Sequence, residues 1–303
     1  MGKAARKARS AKQDGATKRR KQRDVFVGQP FEGLAAETEL IALREFVPSA
    51  TAPLPLAAGH DREVQLATVL PGAAAATVRS DGTAFLGLQV QAKSSDVSRD
   101  LGRALRWLLH ADPGDVLAVA DTASEPVDGE RLQDLLDAER PLVPQLHQDF
   151  SWWLAPEERD SAATDPAVEQ ANKAIMPTER LFEPGDGAQP GAPYWVDAGE
   201  RAHLRWVRPE PEARVLAGMA RLSARGQLTL GEGSRYAGSF RAHGLLVPVW
   251  DLDREAHARE WAEPAARLGE RLEEAIAGIA EHPLDSEERR LRDGLIGRQF
   301  TIR

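Results

Sequence analysis

The sequence feature that most constrains the fold is an N-terminal segment almost without apolar side chains. Residues 1–24 contain no Leu, Ile, Val, Phe or Trp. Ordering each residue costs about 1–2 kcal/mol, and a segment that buries no apolar surface cannot offset that cost. We therefore predict a disordered basic tail over residues 1–24, with the folded body beginning after it.

The tail is strongly basic, whereas the rest of the chain is acidic. Residues 1–23 carry a net charge of +9, which leaves −17 for the remainder of a chain whose formal charge is −8. A flexible cationic segment attracts polyanions because neutralised phosphates release their counterions. The candidate partners are RNA, DNA, the ribosome or an anionic membrane face; the alternative is a solubility tail without a dedicated partner. The predicted nucleic-acid-binding residues are Lys3, Arg6, Lys7, Arg9, Lys12, Lys18, Arg19, Arg20, Lys21 and Arg23.

Several classes of protein and site are excluded by what the chain lacks. It has no Cys, which rules out disulfides, Cys-ligated zinc, iron–sulfur clusters and thiol nucleophiles. It has neither a run of roughly 18–20 apolar residues for a membrane span nor the apolar segment of a signal peptide. Its seven His are scattered singly, without the spacing of a metal face. We expect a cytoplasmic protein without a metal or cofactor.

The pattern after the tail predicts an α+β fold, with antiparallel strands and amphipathic helices in two sub-domains. An N-terminal domain is predicted over residues 25–154, a Pro/Gly-rich linker over 155–193, and a C-terminal domain ending in two helices over 194–303. Helix, strands and a long amphipathic helix follow one another in both domains, which raises the hypothesis of a pseudo-repeat. The linker is predicted from six prolines: Pro156, Pro166, Pro177, Pro184, Pro190 and Pro193.

In the N-terminal domain, apolar periodicity predicts a helix within Leu34–Val47 and another from Ser94 or Ser95 to His110. Glu130–Ala138 is predicted as a shorter helix, and Val116–Ala120 as a buried strand. An antiparallel meander is predicted over Val64–Leu70, Ala75–Arg79 and Thr83–Gln91.

In the C-terminal domain, four short apolar runs predict strands and three amphipathic stretches predict helices. Gly226 is predicted to end the first helix in a left-handed conformation, and Asp285 with Glu288 to cap the last one. The predicted strands are Tyr194–Val196, His203–Val207, Leu228–Leu230 and Gly244–Leu252. The predicted helices are Glu212–Arg225, Asp253–Ala280 and Asp285–Ile296.

Two stretches resemble a known family: Gly33–Leu54 (GLAAETELIALREFVPSATAPL) and Leu230–Leu252 (LGEGSRYAGSFRAHGLLVPVWDL). The resemblance is to an actinobacterial family of uncharacterised proteins of about 300 residues and extends from about Asp24 to the C-terminus. Many members begin with a Cys-rich zinc motif of the kind that ends the SecA translocase motor. This chain has no Cys for that site, and a Lys/Arg tail stands in its place. The resemblance implies a common folded body and raises the alternative of a protein-export accessory.

A second alternative is a metal-dependent nuclease. Nucleases of the restriction-endonuclease type place an acid and then a Glu/Gln-x-Lys group on neighbouring strands before a helix, because carboxylate and amide oxygens hold Mg²⁺ while Lys steadies the phosphate. Asp81, Gln91 and Lys93 occur in that order. The competing interpretation is that Asp81 belongs to a turn, where Asp is favoured for local hydrogen bonding.

The adjacent pair Trp152 and Trp153 gives a weaker signal. On a strand these side chains point to opposite faces, so one of them could be exposed to a partner, although core packing is the simpler interpretation. Together the patterns favour a non-enzymatic binding or adaptor protein whose tail anchors nucleic acid or the ribosome. The nuclease and the export accessory are the alternatives.

Overall fold

A computed structural model describes residues 26–120, 130–182 and 190–300. The predicted tail lies outside these ranges. The described chain has the expected α+β fold, with two sheets in which most neighbouring strands run antiparallel. Within it, no helix combines the length and apolar character needed to cross a membrane.

The second and the fifth helix are amphipathic and bury one face, whereas the central residues of the first and the fourth are buried on all sides. Asp96 and Asp285 cap the second and the sixth by accepting hydrogen bonds from backbone N–H groups of the first turn. In chain order, the α-helices of the described residues are α1 (Glu37–Glu45), α2 (Val97–Leu108), α3 (Pro166–Asn172), α4 (Glu212–Ala224), α5 (Ala258–Ala277) and α6 (Ser286–Ile296).

Sheet 1 is formed by six short strands. Their order across the sheet is β5-β3-β4-β2-β1-β6. The strands are β1 (Ala50–Pro53), β2 (Val64–Ala67), β3 (Ala76–Val78), β4 (Ala84–Gly87), β5 (Val116–Leu117) and β6 (Gln145–Leu146).

The predicted meander of β2, β3 and β4 is wrong in its order. β4 lies between the other two, antiparallel to β3 and parallel to β2. Gly87, the last residue of β4, lies against the segment that joins β2 to β3. A Cβ on Gly87 would lie 2.6 Å from the carbonyl oxygen of Ala74 in that segment. A glycine is therefore required for β4 to insert between its neighbours.

Sheet 2 is fully antiparallel, in the order β10-β11-β9-β8-β7. Its edge strand β7 (Thr178–Arg180) comes from the segment predicted as a linker, which also contains α3. The division into two domains stays a prediction, but this segment contributes regular structure to the fold. The strands are β7 (Thr178–Arg180), β8 (Ala192–Asp197), β9 (Ala202–Val207), β10 (Ser234–Ala242) and β11 (Leu245–Leu252).

Sheet 2 is covered on both faces, because alternate side chains of β8 and β11 enter different cores. On β8, Tyr194 and Val196 join the core shared with the N-terminal half, whereas Trp195 joins the core under α4 and α5. Helix α1 packs on β8 and β9 and shares its buried cluster with sheet 1. It therefore lies between the two sheets and ties the two halves together.

A buried ionic contact reinforces this junction. Glu39 on α1 accepts hydrogen bonds from Arg180 on β7, with Nε at 2.9 Å, and from the Tyr194 hydroxyl at 2.7 Å. The side chains of all three residues are almost completely shielded from solvent. Burial, followed by the nearby Glu39 carboxylate, raises the pKa of Tyr194 well above its ordinary value.

Four further expectations in the N-terminal half need correction. Residues 130–138 form only a 3₁₀ turn, Leu132–Asp134, which packs on α2 and has its leucines buried. The strand at Val116 is a two-residue sheet edge, with Val116 61% exposed rather than buried. The Trp pair lies in a 3₁₀ turn, Ser151–Trp153, so strand alternation does not apply. Asp96, rather than a serine, caps α2.

In the C-terminal half, α4, β11 and the capping of α6 are confirmed, as is the left-handed Gly226, with φ +65°. Residues 228–230 do not form a strand. The long strand β10 was not expected, because Gly238, at φ +158°, interrupts its apolar pattern at a bulge.

A polar cleft on sheet 1 as the candidate functional site

The residues of the nuclease hypothesis do not converge, and the carboxylate of the first of them, Asp81, is already paired with a neighbouring arginine. Asp81 lies in the turn between β3 and β4, where its carboxylate pairs with the Arg79 guanidinium at 2.6 and 3.0 Å and accepts a bond from the Thr83 backbone. The hydrogen bonds from Arg79 hold the pKa of Asp81 well below its usual range. This supports the interpretation of Asp81 as a turn residue.

The other two residues lie at the opposite end of the hairpin. The Gln91 backbone N–H bonds to the Ala73 carbonyl and its amide to Gly72, both before β3 begins. Extended residues 74–79 place that end roughly 15 Å from Asp81, at about 3.3 Å per residue. In the part of the chain that the structure describes, no three His, Asp or Glu side chains gather to hold a metal ion.

We expect Lys93→Ala to change the free energy of unfolding by no more than about 0.5 kcal/mol, because Lys93 is exposed. Urea denaturation of the purified protein measures it. Magnesium-dependent cleavage of DNA or RNA that disappears in both Lys93→Ala and Asp81→Ala would restore the nuclease hypothesis.

A different group of polar residues does converge, in an open cleft of about 340 Å³ on the outward face of sheet 1. Alternation places Ala52, Leu66 and Leu86 in the core and their neighbours outward. The floor of the cleft is formed by Thr51, Gln65, Thr83, Phe85 and Gln145, from β1, β2, β6 and the start of β4.

One wall of the cleft is a rigid pair of rings. The His147 imidazole stacks on Trp152, with centroids 5.6 Å apart and planes 29° apart, and its Nε2 lies 2.8 Å from the Thr51 hydroxyl. The indole N–H of Trp152 donates to the Ser49 hydroxyl at 2.9 Å. These contacts fix both the position of the imidazole and the direction in which it presents its ring atoms.

Arg79 braces the same wall from below. Its Nη1 donates to the carbonyl oxygens of Trp152 at 2.7 Å and Leu154 at 2.9 Å, and its guanidinium lies 5.2 Å from the centre of the Phe85 ring. The remaining nitrogens bind Asp81. Arg79 is therefore a structural brace whose charge is already matched.

The electrostatic character of the cleft differs from that of the acidic body. Two arginines, Arg79 and Arg159, and His147 line it, and none of the described lining residues is acidic. Burial lowers the pKa of His147; Asp149 opposes this effect and Arg159 reinforces it. His147 is therefore neutral at pH 7, and Arg159 supplies the charge that is not matched by a neighbour.

Sequence reasoning identified only Trp152 among these lining residues, and for another reason. The others are spread from residue 51 to residue 159, on different strands and turns, and no local motif connects them. The signal that could have found them is a set of polar residues on the outward positions of the strands, which becomes visible only when the strand order is known.

The comparisons with known proteins give a family and nothing more specific. The model of DUF5926, described as a family of unknown function, matches residues 30–303. No curated protein and no solved structure matches this chain.

Proposed function

The chain belongs to the DUF5926 family of unknown function, and we propose from its charge distribution that it is a non-enzymatic, cytoplasmic binding protein whose basic tail holds nucleic acid. One observation carries the proposal. Ten of the 39 basic residues lie within residues 1–23, beside a single acid. Such a segment gains affinity for RNA or DNA from each phosphate it neutralises.

The acidic body supports an adaptor role in particular. With a net charge of −17 after residue 23, the body repels the nucleic acid that the tail attracts, and contact is confined to the tail. No aromatic residue stands among the tail cations, so base stacking and sequence preference are not expected. The ribosome is a natural partner for this kind of sequence-indifferent binding.

The two alternatives have less support. The nuclease hypothesis requires Asp81 and Gln91 to share one ion, and they lie at opposite ends of a hairpin. The export accessory depends on the resemblance to actinobacterial proteins with a zinc motif, which this chain lacks the cysteines to build.

We expect the full chain to bind a 20-nucleotide RNA and a DNA duplex with affinity that falls steeply with salt, by about 0.7–0.9 log units per neutralised phosphate for each tenfold rise in salt concentration. Deletion of residues 2–23 should abolish this binding, because it removes the tail cations. Fluorescence anisotropy from 50 to 300 mM salt measures both.

The matched control is the double variant Arg290→Gln and Arg292→Gln on α6, where Arg290 is exposed and Arg292 is half-buried. It removes cations from the body and should leave the salt slope unchanged. If the deletion variant still binds RNA and DNA as well as the full chain does at low salt, the basic surface lies elsewhere and the proposed function is wrong.

A further inference from the structure

We propose that the cleft on sheet 1 binds a small phosphomonoester, with Arg159 and His147 holding the phosphate and the Gln65 and Gln145 amides holding the polar body of the ligand. This inference goes beyond the proposed function, because the tail takes no part in it. It depends on four observations: the size of the cleft, its charge, its free donors and its rigidity.

The size of the cleft matches a small molecule and not a macromolecular groove. A volume of about 340 Å³ lies at the lower end of the roughly 300–1,000 Å³ range of small-ligand sites. It accommodates a nucleoside monophosphate or a sugar phosphate.

Its charge favours an anion. The cleft has an excess of positive charge inside a body of net charge −17. Two acidic residues close in sequence to the lining are already hydrogen-bonded: Asp81 to Arg79, and Asp149 as the acceptor of the Ser151 backbone N–H. An entering anion therefore meets one unmatched cation, Arg159, and no acidic residue among the described lining residues.

The donors that a phosphomonoester needs are present and free. Among the described residues, Arg159 forms no hydrogen bond or ion pair, and the side-chain amides of Gln65 and Gln145 form no hydrogen bond. A guanidinium is the side chain that best matches the oxygens of a phosphate, and amides bond to hydroxyl groups or base edges. The free groups correspond to the two parts of the ligand.

The walls are rigid before any ligand enters. Arg79 fixes the backbone at Trp152 and Leu154, and Thr51 fixes the His147 ring. These walls need little ordering on binding, so the main ordering cost is that of the exposed Arg159 side chain.

Binding of an anion at this site should be coupled to the uptake of a proton by His147. Burial lowers the pKa of His147 from 6.5, Arg159 acts in the same direction and Asp149 against it, while Arg79 is matched by Asp81. An anion beside the ring raises that pKa, so the complex takes up a proton and affinity rises as pH falls towards the pKa of the free ring. The rise in affinity begins near the raised pKa of the ring in the complex and levels off below the pKa of the free ring, which lies under 6.5.

The test titrates the full chain with AMP, ribose 5-phosphate, inorganic phosphate and adenosine by calorimetry. We expect one site for the first two ligands, weaker binding of inorganic phosphate and none of adenosine. Comparison of the affinities for AMP and ribose 5-phosphate shows whether the site prefers a nucleotide or a sugar phosphate. Arg159→Gln should weaken binding by about 10- to 100-fold, because it removes a charged hydrogen bond.

Matched controls separate the cleft from general charge effects and from folding. Arg290→Gln on α6 removes an exposed arginine elsewhere and should leave the affinity unchanged. His147→Gln should remove the rise in affinity on acidification, measured with sulfate as the probe because its charge is constant over this range. Arg159 is exposed, so its variant tests the site without a folding defect.

Several results would overturn the proposal. They are the absence of saturable binding of either phosphomonoester at 10 mM, equal affinity for AMP and adenosine, inorganic phosphate binding as tightly as both esters, or unchanged affinity in both Arg159→Gln and His147→Gln. Loss of binding on deletion of residues 2–23, with Arg159→Gln unaffected, would assign the ligand to the tail and contradict the cleft.

Discussion

Replacing Glu39 with Ala is expected to lower the free energy of unfolding by about 3–5 kcal/mol, because it leaves the Arg180 guanidinium buried without its counter-charge. The Tyr194 hydroxyl loses its acceptor in the same variant. Desolvation makes this loss far larger than that of a surface ion pair. Urea denaturation followed by tryptophan fluorescence measures it.

The control for this prediction is Glu45→Ala on the same helix. Glu45 pairs with His243 at 2.8 Å, but its side chain is 30% exposed, and a pair of that kind contributes about 1 kcal/mol or less. In the double variant Glu39→Met and Arg180→Met, apolar side chains replace both charges and should recover most of the stability. A loss below 1 kcal/mol in Glu39→Ala would mean that water reaches Arg180 and that the contact is not a buried one.

Trp206→Ala is expected to lower the free energy of unfolding by a similar amount, about 3–5 kcal/mol, because it opens a cavity in the core beneath sheet 2. The Trp206 side chain is fully buried; its ring meets Phe182 edge-on at 5.6 Å, and the Arg208 guanidinium lies 4.9 Å from the ring centre. Its indole N–H donates to the Pro190 carbonyl at 3.1 Å. Chemical denaturation at pH 7 provides the measurement.

Trp107→Ala is the matched control for that cavity. Trp107 on α2 is only partly buried, so the same truncation removes less contact and should cost less than half as much. Equal losses in the two variants would contradict the difference in packing.

The helices were the most predictable part of the fold. The stripe of Val97, Leu101, Leu105 and Leu108 and the capping pair at Asp285 placed α2 and α6 within one to three residues, because their information is local in sequence. The glycine that predicted the end of α4, Gly226, is also a signal within a few residues of the helix. Periodicity and caps act within a few residues, so one sequence is enough to read them.

The sheets were less predictable because their order depends on distant partners. The segment 178–180 is too short for a strand to be predicted from its sequence. It forms a strand only by pairing with β8. Glycines in and around β10 concealed a nine-residue strand. The candidate cleft follows the same rule: Thr51 and His147 lie 96 residues apart and meet only because β6 adds beside β1.

The position of α1 between the two sheets has a consequence for how the protein is made. Its partners on sheet 2 extend to β11, which ends about 200 residues after α1. At roughly 5–20 residues per second, synthesis delivers those partners about 10–40 s later. During that interval, the apolar side of α1 that will face sheet 2 has no permanent cover. The nascent chain therefore exposes an apolar surface for tens of seconds. The yield of protein at high expression should depend on how fast the chain is translated and on whether chaperones protect it.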